Sequence, residues 1–173
     1  MYKQILVTLD GSPLSETVLP HIEKLAAGTD IRVVLLTVSD SPEPVASASV
    51  EQRELLDAVG TLEEITLQAT DTRRQGETKE QAQQRVEEEL QKYLAEKAGP
   101  LWEAGIETKC IVSFGEPVEQ IVDYARRQDV DLIAMATHGR SGLARLVFGS
   151  VTGRVLESAG RPVLVVRPDH LRE

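Results

Sequence analysis

The sequence is poor in aromatic residues and in cysteine. Phe, Trp and Tyr together make up 3% of its 173 residues, so an aliphatic core is expected. The single Cys110 excludes an internal disulfide, and its place in the apolar stretch 106–112 predicts a buried strand residue. With 41% hydrophobic and 27% charged residues, the chain is expected to form one domain, 1–173, with a sizeable core.

Long hydrophobic runs and an excess of positive charge are missing as well. No apolar run approaches the roughly 18 residues that span a bilayer, and the amino terminus lacks a signal-peptide pattern. We therefore expect a cytoplasmic protein. The formal net charge of −9 and the pI of about 4.9 argue against nucleic acid or a membrane surface as a partner.

Several familiar phosphate-binding and catalytic patterns are absent. The lack of Gly-x4-Gly-Lys-Ser/Thr and of Gly-x-Gly-x-x-Gly excludes a P-loop NTPase and an ordinary dinucleotide-binding protein. The lack of a Gly-x-Ser-x-Gly elbow argues against a hydrolase of that type. His21 and His170 show no metal-ligand spacing, so a histidine-based metal centre is not expected.

What is present is an alternation of strand and helix patterns. Apolar, β-rich runs predict five strands, at 3–9, 31–38, 107–113, 132–136 and 163–167. Buried strands separated by helices predict an α/β, Rossmann-like fold, a doubly wound parallel sheet with helices on both faces. Right-handed crossovers favour the strand order 3-2-1-4-5, which opens a ligand crevice between the first and fourth strands.

A turn with a helix start follows the first predicted strand. Asp10-Gly11-Ser12-Pro13 predicts a turn, with Ser12 as the N-cap and Pro13 as the first helical residue. The helix after it is expected to kink at Pro20. Its predicted apolar face comprises Leu14, Val18, Leu19, Ile22, Leu25 and Ala26.

A glycine-containing segment follows the fourth predicted strand. It reads Ala136-Thr137-His138-Gly139-Arg140-Ser141-Gly142 and ends at Gly149-Ser150, where apolar residues at helical spacing begin. Backbone N–H groups and the helix dipole would meet there, which favours an anion such as phosphate. No Asp or Glu occurs between 132 and 156, whereas Arg140, Arg145 and Arg154 do, so a cationic loop is predicted. The alternative is that the glycines only close a tight turn and cap a helix.

The segment from about 40 to 76 is an irregular insertion. Its Ser- and Pro-rich start predicts a mobile connection, and 52–67 is expected to form an extra helix. After it, 78–98 predicts a charged amphipathic helix. The insertion is either a solvated surface or a regulated lid over the crevice.

Together these motifs resemble the universal stress proteins. The likeness covers nearly the whole chain: the opening ILVTLDGSPLSE at 5–16, the Gly115-x-Pro117 turn, THGRSGL at 137–143 and RPVLVVRP at 161–168. Nucleotide-binding members of that family have Gly-x2-Gly-x9-Gly-Ser/Thr after the fourth strand. Here the pattern falls on 136–150, with Ala136 in place of its first glycine.

The resemblance implies an ATP site, with Mg²⁺ held by Asp10 through the nucleotide. Backbone groups of Val38 would meet the adenine, and Thr8, Leu9 and Asp10 would lie near the ribose and phosphates. Ala136 would add a methyl group near the sugar-phosphate. Around the phosphates the resemblance implies Gly139, Gly149, Ser150 and Val151, with loop freedom from Gly142, charge from Arg140 and a hydrogen bond from His138.

Two main functions follow from this implied site. One is a non-catalytic ATP sensor, in which nucleotide orders the lid and changes how a dimer meets an unknown protein partner. The other is a slow ATP hydrolase or phosphotransferase, which needs a positioned nucleophile and a base. Metal binding would occupy Asp10, and Ser150 is expected to be a phosphate donor or the helix N-cap, so the sensor is favoured. A third alternative is a nucleotide-free dimeric interaction module, marked by Ala136.

The last predicted strand is uncharged over Val163, Leu164, Val165 and Val166 and lies at a sheet edge in the order 3-2-1-4-5. Its unpaired backbone groups invite another strand. Antiparallel pairing of two copies predicts a homodimer through these residues, as the resemblance also implies. The alternative is that Leu171 and the charged tail fold back over the edge.

Overall fold

The structure, a computed structural model, describes residues 2–40, 78–137 and 149–167. Strands and helices alternate along this part of the chain, as predicted. The elements are β1 (Gln4–Thr8), α1 (Pro13–Glu16), α2 (Leu19–Ala26), β2 (Arg32–Ser39), α3 (Lys79–Glu103), β3 (Thr108–Phe114), α4 (Pro117–Arg127), β4 (Leu132–Ala136), α5 (Ser150–Ser158) and β5 (Val163–Val166).

The five strands form one parallel sheet in the order β3-β2-β1-β4-β5. This confirms the predicted doubly wound topology. Val7 of β1 is level with Leu35 of β2 and with Ala134 of β4. The helix α2, which follows β1, packs on one face of the sheet, and the helix α5, which follows β4, packs on the other, so a crevice opens at the carboxyl ends of β1 and β4.

Helices cover both faces of the sheet because alternate strand residues point to opposite sides. On one face, Ile5 and Val7 of β1 pack with Ile22 of α2 and Leu94 of α3. On the other face the buried cluster comprises strand residues such as Leu6 and Ile133 and the helix residues Val118, Ile121, Val122, Ala125 and Val155. The core is therefore aliphatic and divided by the sheet.

The prediction of one first helix kinked at Pro20 is wrong, because the chain forms two helices instead. Ser12 caps α1 as predicted, accepting a hydrogen bond from Ser15 N at 3.1 Å. The helix stops at Glu16, and Pro20 is the second residue of α2. A proline clashes with the carbonyl four residues before it, so a fresh start places Pro20 where no N–H is needed. Leu25, predicted on the apolar face, is 39% exposed.

The helix predicted to end at 98 continues through Gly99 and Pro100 to Glu103. A proline disfavours helical backbone in the residue before it through that residue's Cβ, which Gly99 does not have. The added turn also buries Leu101, which is 1% exposed. Burial of this leucine stabilises a turn that the Gly-Pro pair alone would oppose.

Cys110 lies in β3 as predicted, but it is only half-buried because β3 is an edge strand. Partial burial raises the pKa of its thiol. In the described ranges, no helix is long and apolar enough to cross a membrane. From residue 41 onward, the predicted insertion and its helix at 52–67 lie outside the described residues.

Candidate functional site

A cavity of about 260 Å³ lies in the predicted crevice, at the carboxyl ends of β1 and β4. Its apolar lining includes Leu36 and Val38 of β2, Pro117 and Ile121 of α4, and Met135 of β4. Its polar lining residues include Thr8, Asp10, Ser15, Thr137, Ser150 and Thr152. The site can therefore receive a ligand that has both an apolar part and a polar part.

The exit of β1 is fixed by two hydrogen bonds to β2. Leu9 N donates to Leu36 O at 2.9 Å, and the Thr37 hydroxyl donates to Leu9 O at 2.9 Å. Thr37 is fully buried, so this bond is shielded from water. The backbone from Thr8 to Asp10 is held against the sheet beside the cavity.

Asp10 lies at the rim of the cavity with an exposed side chain. Its Oδ1 accepts hydrogen bonds from Ser12 N at 3.0 Å and from the Ser12 hydroxyl at 2.5 Å. Gly11 between them has φ +76°, a conformation that favours glycine. Within the described part of the chain, both bonds go to Oδ1, so Oδ2 is available to a cation or a ligand hydroxyl.

The opposite rim is the junction of β4 with α5. The Thr137 hydroxyl accepts a hydrogen bond from Gly149 N at 3.3 Å, and the Thr152 hydroxyl donates to Ala136 O at 3.5 Å. The first internal bond of α5 runs from Gly153 N to Gly149 O at 2.9 Å. In such a helix the N–H groups of Ser150, Val151 and Thr152 have no intrahelical partner and can bind an anion.

Gly149, not Ser150, is the N-cap of α5. The alternative that Ser150 caps the helix is therefore wrong, because Ser150 already has helical backbone. Gly149 has φ −57° and ψ 160°, an extended conformation open to any residue. A Cβ added at Gly149 would meet no atom of the described residues within 4 Å. Steric constraints within the described protein do not explain a glycine at this position.

Arg154 does not belong to a cationic loop, contrary to the prediction from its sequence position. Its guanidinium contacts the carboxylate of Glu116 at 2.7 Å. Glu116 is the N-cap of α4, and its other oxygen accepts from Glu119 N at 2.8 Å. Because position 154 is one turn into α5, its side chain reaches the neighbouring helix, and the ion pair joins the two helices that flank the cavity.

The structure brings eight of the predicted binding residues to this one cavity: Thr8, Leu9, Asp10, Val38, Ala136, Gly149, Ser150 and Val151. His138, Gly139, Arg140 and Gly142 lie outside the described residues. Sequence reasoning missed Thr137 and Thr152, whose hydroxyls fix the β4–α5 junction, and Ile121 of the apolar wall. A threonine directly after a buried strand was a usable signal for Thr137.

Asp10 is not part of a preformed metal centre. Among the described residues, no group of three or more His, Cys, Asp or Glu side chains is placed to hold a metal ion. A hard cation at Asp10 would need most of its oxygen ligands from elsewhere, such as phosphate and water. The donor set therefore fits a cation that arrives with a phosphorylated ligand.

Comparison with known proteins gives consistent matches. The sequence matches the model of the universal stress protein family over residues 1–88 and 62–167. The universal stress protein MJ0577 of Methanocaldococcus jannaschii is 29% identical over 171 residues, with 96% of each chain covered. MJ0531 of the same organism is 31% identical over 167 residues, covering 96% of this chain and 83% of that one. The solved structure of MJ0577 has a TM-score of 0.67 at 27% identity and covers 98% of both chains.

Three further solved structures with this fold are described with adenine nucleotides. A universal stress protein in complex with cAMP has a TM-score of 0.53 at 19% identity, with 96% and 97% of the chains covered. A universal stress protein family protein of Arabidopsis thaliana with AMP bound has a TM-score of 0.57 at 17% identity, with 96% of this chain and 92% of that chain covered. The universal stress protein from Archaeoglobus fulgidus in complex with dAMP has a TM-score of 0.54 at 19% identity, with 95% of this chain and 97% of that chain covered. At these identities the likeness concerns the fold alone.

Proposed function

The chain belongs to the universal stress protein family, and on that basis we propose that its cavity binds an adenine nucleotide, ATP in particular. The observation that supports this most directly is the cavity itself, which is lined both by apolar side chains and by the N-terminus of α5. Relatives of the same fold have been solved with cAMP, AMP and dAMP, which share an adenine and a phosphate. The ligand class matches the apolar and polar lining of the cavity.

In this proposal the adenine lies against Val38 and Ile121, and the phosphates meet the N–H groups of Ser150 and Val151. The side chain of Ile121 and the edge of β2 offer dispersion contact to a flat ring. The helix dipole and the N–H groups offer charge-assisted hydrogen bonds to phosphate. Asp10 holds Mg²⁺ together with phosphate oxygens, which the single carboxylate requires.

We further propose that the protein acts as a sensor rather than as an enzyme, and that it does so as a dimer with a protein partner. Among the described residues that line the cavity, Asp10 is the only one with a carboxylate. Its Oδ1 already accepts two hydrogen bonds from Ser12. A base for hydrolysis must be free to take a proton from water, and a metal-bound, hydrogen-bonded carboxylate is a poor one.

The test is to identify the nucleotide that copurifies with the protein. Freshly purified protein is denatured, the released small molecules are analysed by mass spectrometry, and calorimetric titration with ATP, AMP and cAMP follows. We expect ATP to be released or to bind, and incubation to yield ADP no faster than in the protein-free control. Absence of both copurified and titrated nucleotide would reject the binding site, whereas protein-dependent ADP formation would support the hydrolase alternative.

A further inference from the structure

A polar cluster outside the cavity joins the long helix α3 to the short helix α1. The Tyr93 hydroxyl of α3 donates to one carboxylate oxygen of Glu16 at 3.1 Å, and Lys97 Nζ contacts the other at 3.2 Å. Lys97 Nζ also lies 5.6 Å from the centre of the Tyr93 ring. The side chains of Glu16 and Lys97 are 27% and 24% exposed, so the cluster is shielded more than a typical surface pair.

The helix α1 depends on such contacts for its position. It has four residues, far fewer than an isolated helix needs to persist in water. Its position is set by the cap at Ser12 and by contacts to the rest of the protein. Glu16, its last residue, contributes the bonds to Tyr93 and Lys97.

The position of α1 in turn decides where Asp10 lies. The buried Ser15 hydroxyl accepts a hydrogen bond from Asp10 N at 3.2 Å and donates to Ser12 O at 2.9 Å. Asp10 and Ser15 both line the cavity. A shift of α1 would therefore move Ser15 and release the backbone of Asp10.

The pKa of Tyr93 also depends on the charges of Glu16 and Asp10. Burial raises the pKa of Tyr93, the negative charges of Glu16 and Asp10 raise it further, and a hydrogen bond with Ser15 opposes the change. The tyrosine therefore stays neutral and keeps its proton to donate to Glu16. It is within electrostatic reach of Asp10.

We propose that Tyr93 is a positioning residue for the metal-phosphate end of the cavity, acting through Glu16 and Ser15 on Asp10. The inference rests on the proposed function, because it assigns Tyr93 a part in binding Mg²⁺-ATP. In this proposal Tyr93 affects only the binding of the phosphates and the metal. The adenine contacts at Val38 and Ile121 do not depend on Tyr93.

The experiment compares Tyr93→Phe with Tyr124→Phe, which removes a hydroxyl from a half-buried tyrosine on α4, on the other face of the sheet. Each variant is titrated calorimetrically with ATP plus Mg²⁺, with ATP plus a chelator, and with adenosine. We expect Tyr93→Phe to weaken Mg²⁺-ATP binding about three- to tenfold and to leave adenosine binding unchanged. Tyr124→Phe should leave all three affinities unchanged, and Tyr93→Phe should add no loss to Asp10→Asn.

Two outcomes would overturn the inference. One is wild-type binding of Mg²⁺-ATP by Tyr93→Phe, and the other is an equal loss for adenosine, which would indicate only a structural role. Hydrogen exchange of the ligand-free protein gives an independent readout, since faster exchange at residues 10–15 is expected in Tyr93→Phe but not in Tyr124→Phe. Unchanged exchange at residues 10–15 would reject the positioning role of Tyr93, whether or not the wild-type protein binds nucleotide. Absence of nucleotide binding by the wild-type protein would separately reject the proposed function.

Discussion

At the scale of single residues, Gly149 is where fold and binding can be separated. Its backbone is extended rather than left-handed, and a Cβ there would meet no atom within 4 Å in residues 2–40, 78–137 and 149–167. Nothing in the described protein excludes a larger residue, so a requirement for glycine would come from the ligand. The same reasoning does not apply to Gly115, which has φ +128°.

Replacing Gly149 with valine should therefore remove ATP binding while leaving the fold intact. The side chain would occupy space assigned to phosphate, and lost charge-assisted hydrogen bonds are worth about 1.5–3 kcal/mol, at least tenfold in affinity. Calorimetry measures the affinity, and far-UV circular dichroism checks the helices. Glu157→Val is the control, since it places a valine at an exposed position of the same helix that does not line the cavity. Equal affinity in the two variants would argue against the site.

Ala136 tests whether the departure from the family pattern matters. It lies in β4 with extended backbone, level with Val166 of β5, a conformation that alanine adopts without strain. We expect Ala136→Gly to change the ATP affinity by less than about tenfold, near 1.4 kcal/mol. A protein that binds ATP only after this substitution would support the nucleotide-free module.

Asp10→Asn keeps the acceptor oxygen for Ser12 but removes the charge. We expect most of the Mg²⁺ dependence of ATP binding to disappear, because an amide oxygen is a much weaker ligand for a hard cation. Titrations with ATP in the presence and absence of Mg²⁺ measure this dependence. If the variant retains the wild-type difference between the two titrations, Asp10 does not hold the metal.

Among the helices and strands, two helix N-caps with similar local geometry differ in whether they also contact a cavity residue. Ser12 caps α1 and also binds Asp10, whereas Thr78 caps α3 through a reciprocal pair with Gln81, far along the chain from the cavity residues. Both are ordinary N-caps by their local geometry. Their difference lies in what the capped helix supports.

Ser12→Ala and Thr78→Ala should each lower the free energy of unfolding by about 1 kcal/mol, the usual effect of losing a cap. Urea unfolding measures this. Only Ser12→Ala should also weaken Mg²⁺-ATP binding, since it removes the hydroxyl, one of the two Ser12 donors that orient the Asp10 carboxylate. A similar loss of affinity in Thr78→Ala would mean that general destabilisation, not the turn at Asp10, controls binding.

At the scale of the whole molecule, the two sheet edges differ. In β3 the backbone N–H and C=O groups of the even-numbered residues point away from the sheet. Side chains of α3 cover two of these carbonyls: Thr108 O accepts a hydrogen bond from Trp102 Nε1 at 3.1 Å, and Cys110 O accepts one from Gln91 Nε2 at 3.3 Å. Along β5, Pro162 O and Val166 O accept hydrogen bonds from Ile133 N and Thr137 N, on the β4 side. The backbone N–H and C=O groups of Val163 and Val165 therefore point away from the sheet. No described side chain donates to them. This difference favours β5 as the edge that pairs in a homodimer.

Val165→Pro should produce monomers. The outward N–H of Val165 is not needed for pairing with β4, so its loss removes a bond between subunits and leaves the sheet intact. Light scattering coupled to size exclusion measures the mass. Val112→Pro, which removes an outward N–H from the opposite edge, is the control and should remain dimeric. A dimer that persists in Val165→Pro would reject this interface and leave open the alternative that the tail covers the edge.

The strands, their order and the capped turn at Asp10 could be predicted from the sequence alone. Apolar runs predict the strands, Ser12 before Pro13 predicts the capped turn, and right-handed crossovers leave few strand orders to choose from. The eight binding residues that reach the cavity were named from the resemblance to the universal stress proteins, and parallel topology brings them to one edge because they lie at strand ends and a helix start.

The end of α3, the partner of Arg154 and the partner of Tyr93 could be seen only in the folded protein, because they depend on contacts between residues distant in sequence. Burial of Leu101 carries α3 past Pro100, and the position of α4 turns Arg154 away from the cavity towards Glu116. The bond from Tyr93 to Glu16 spans 77 residues and leaves no local signature in either segment. Local propensity selects elements, whereas packing between them selects the partners of their side chains.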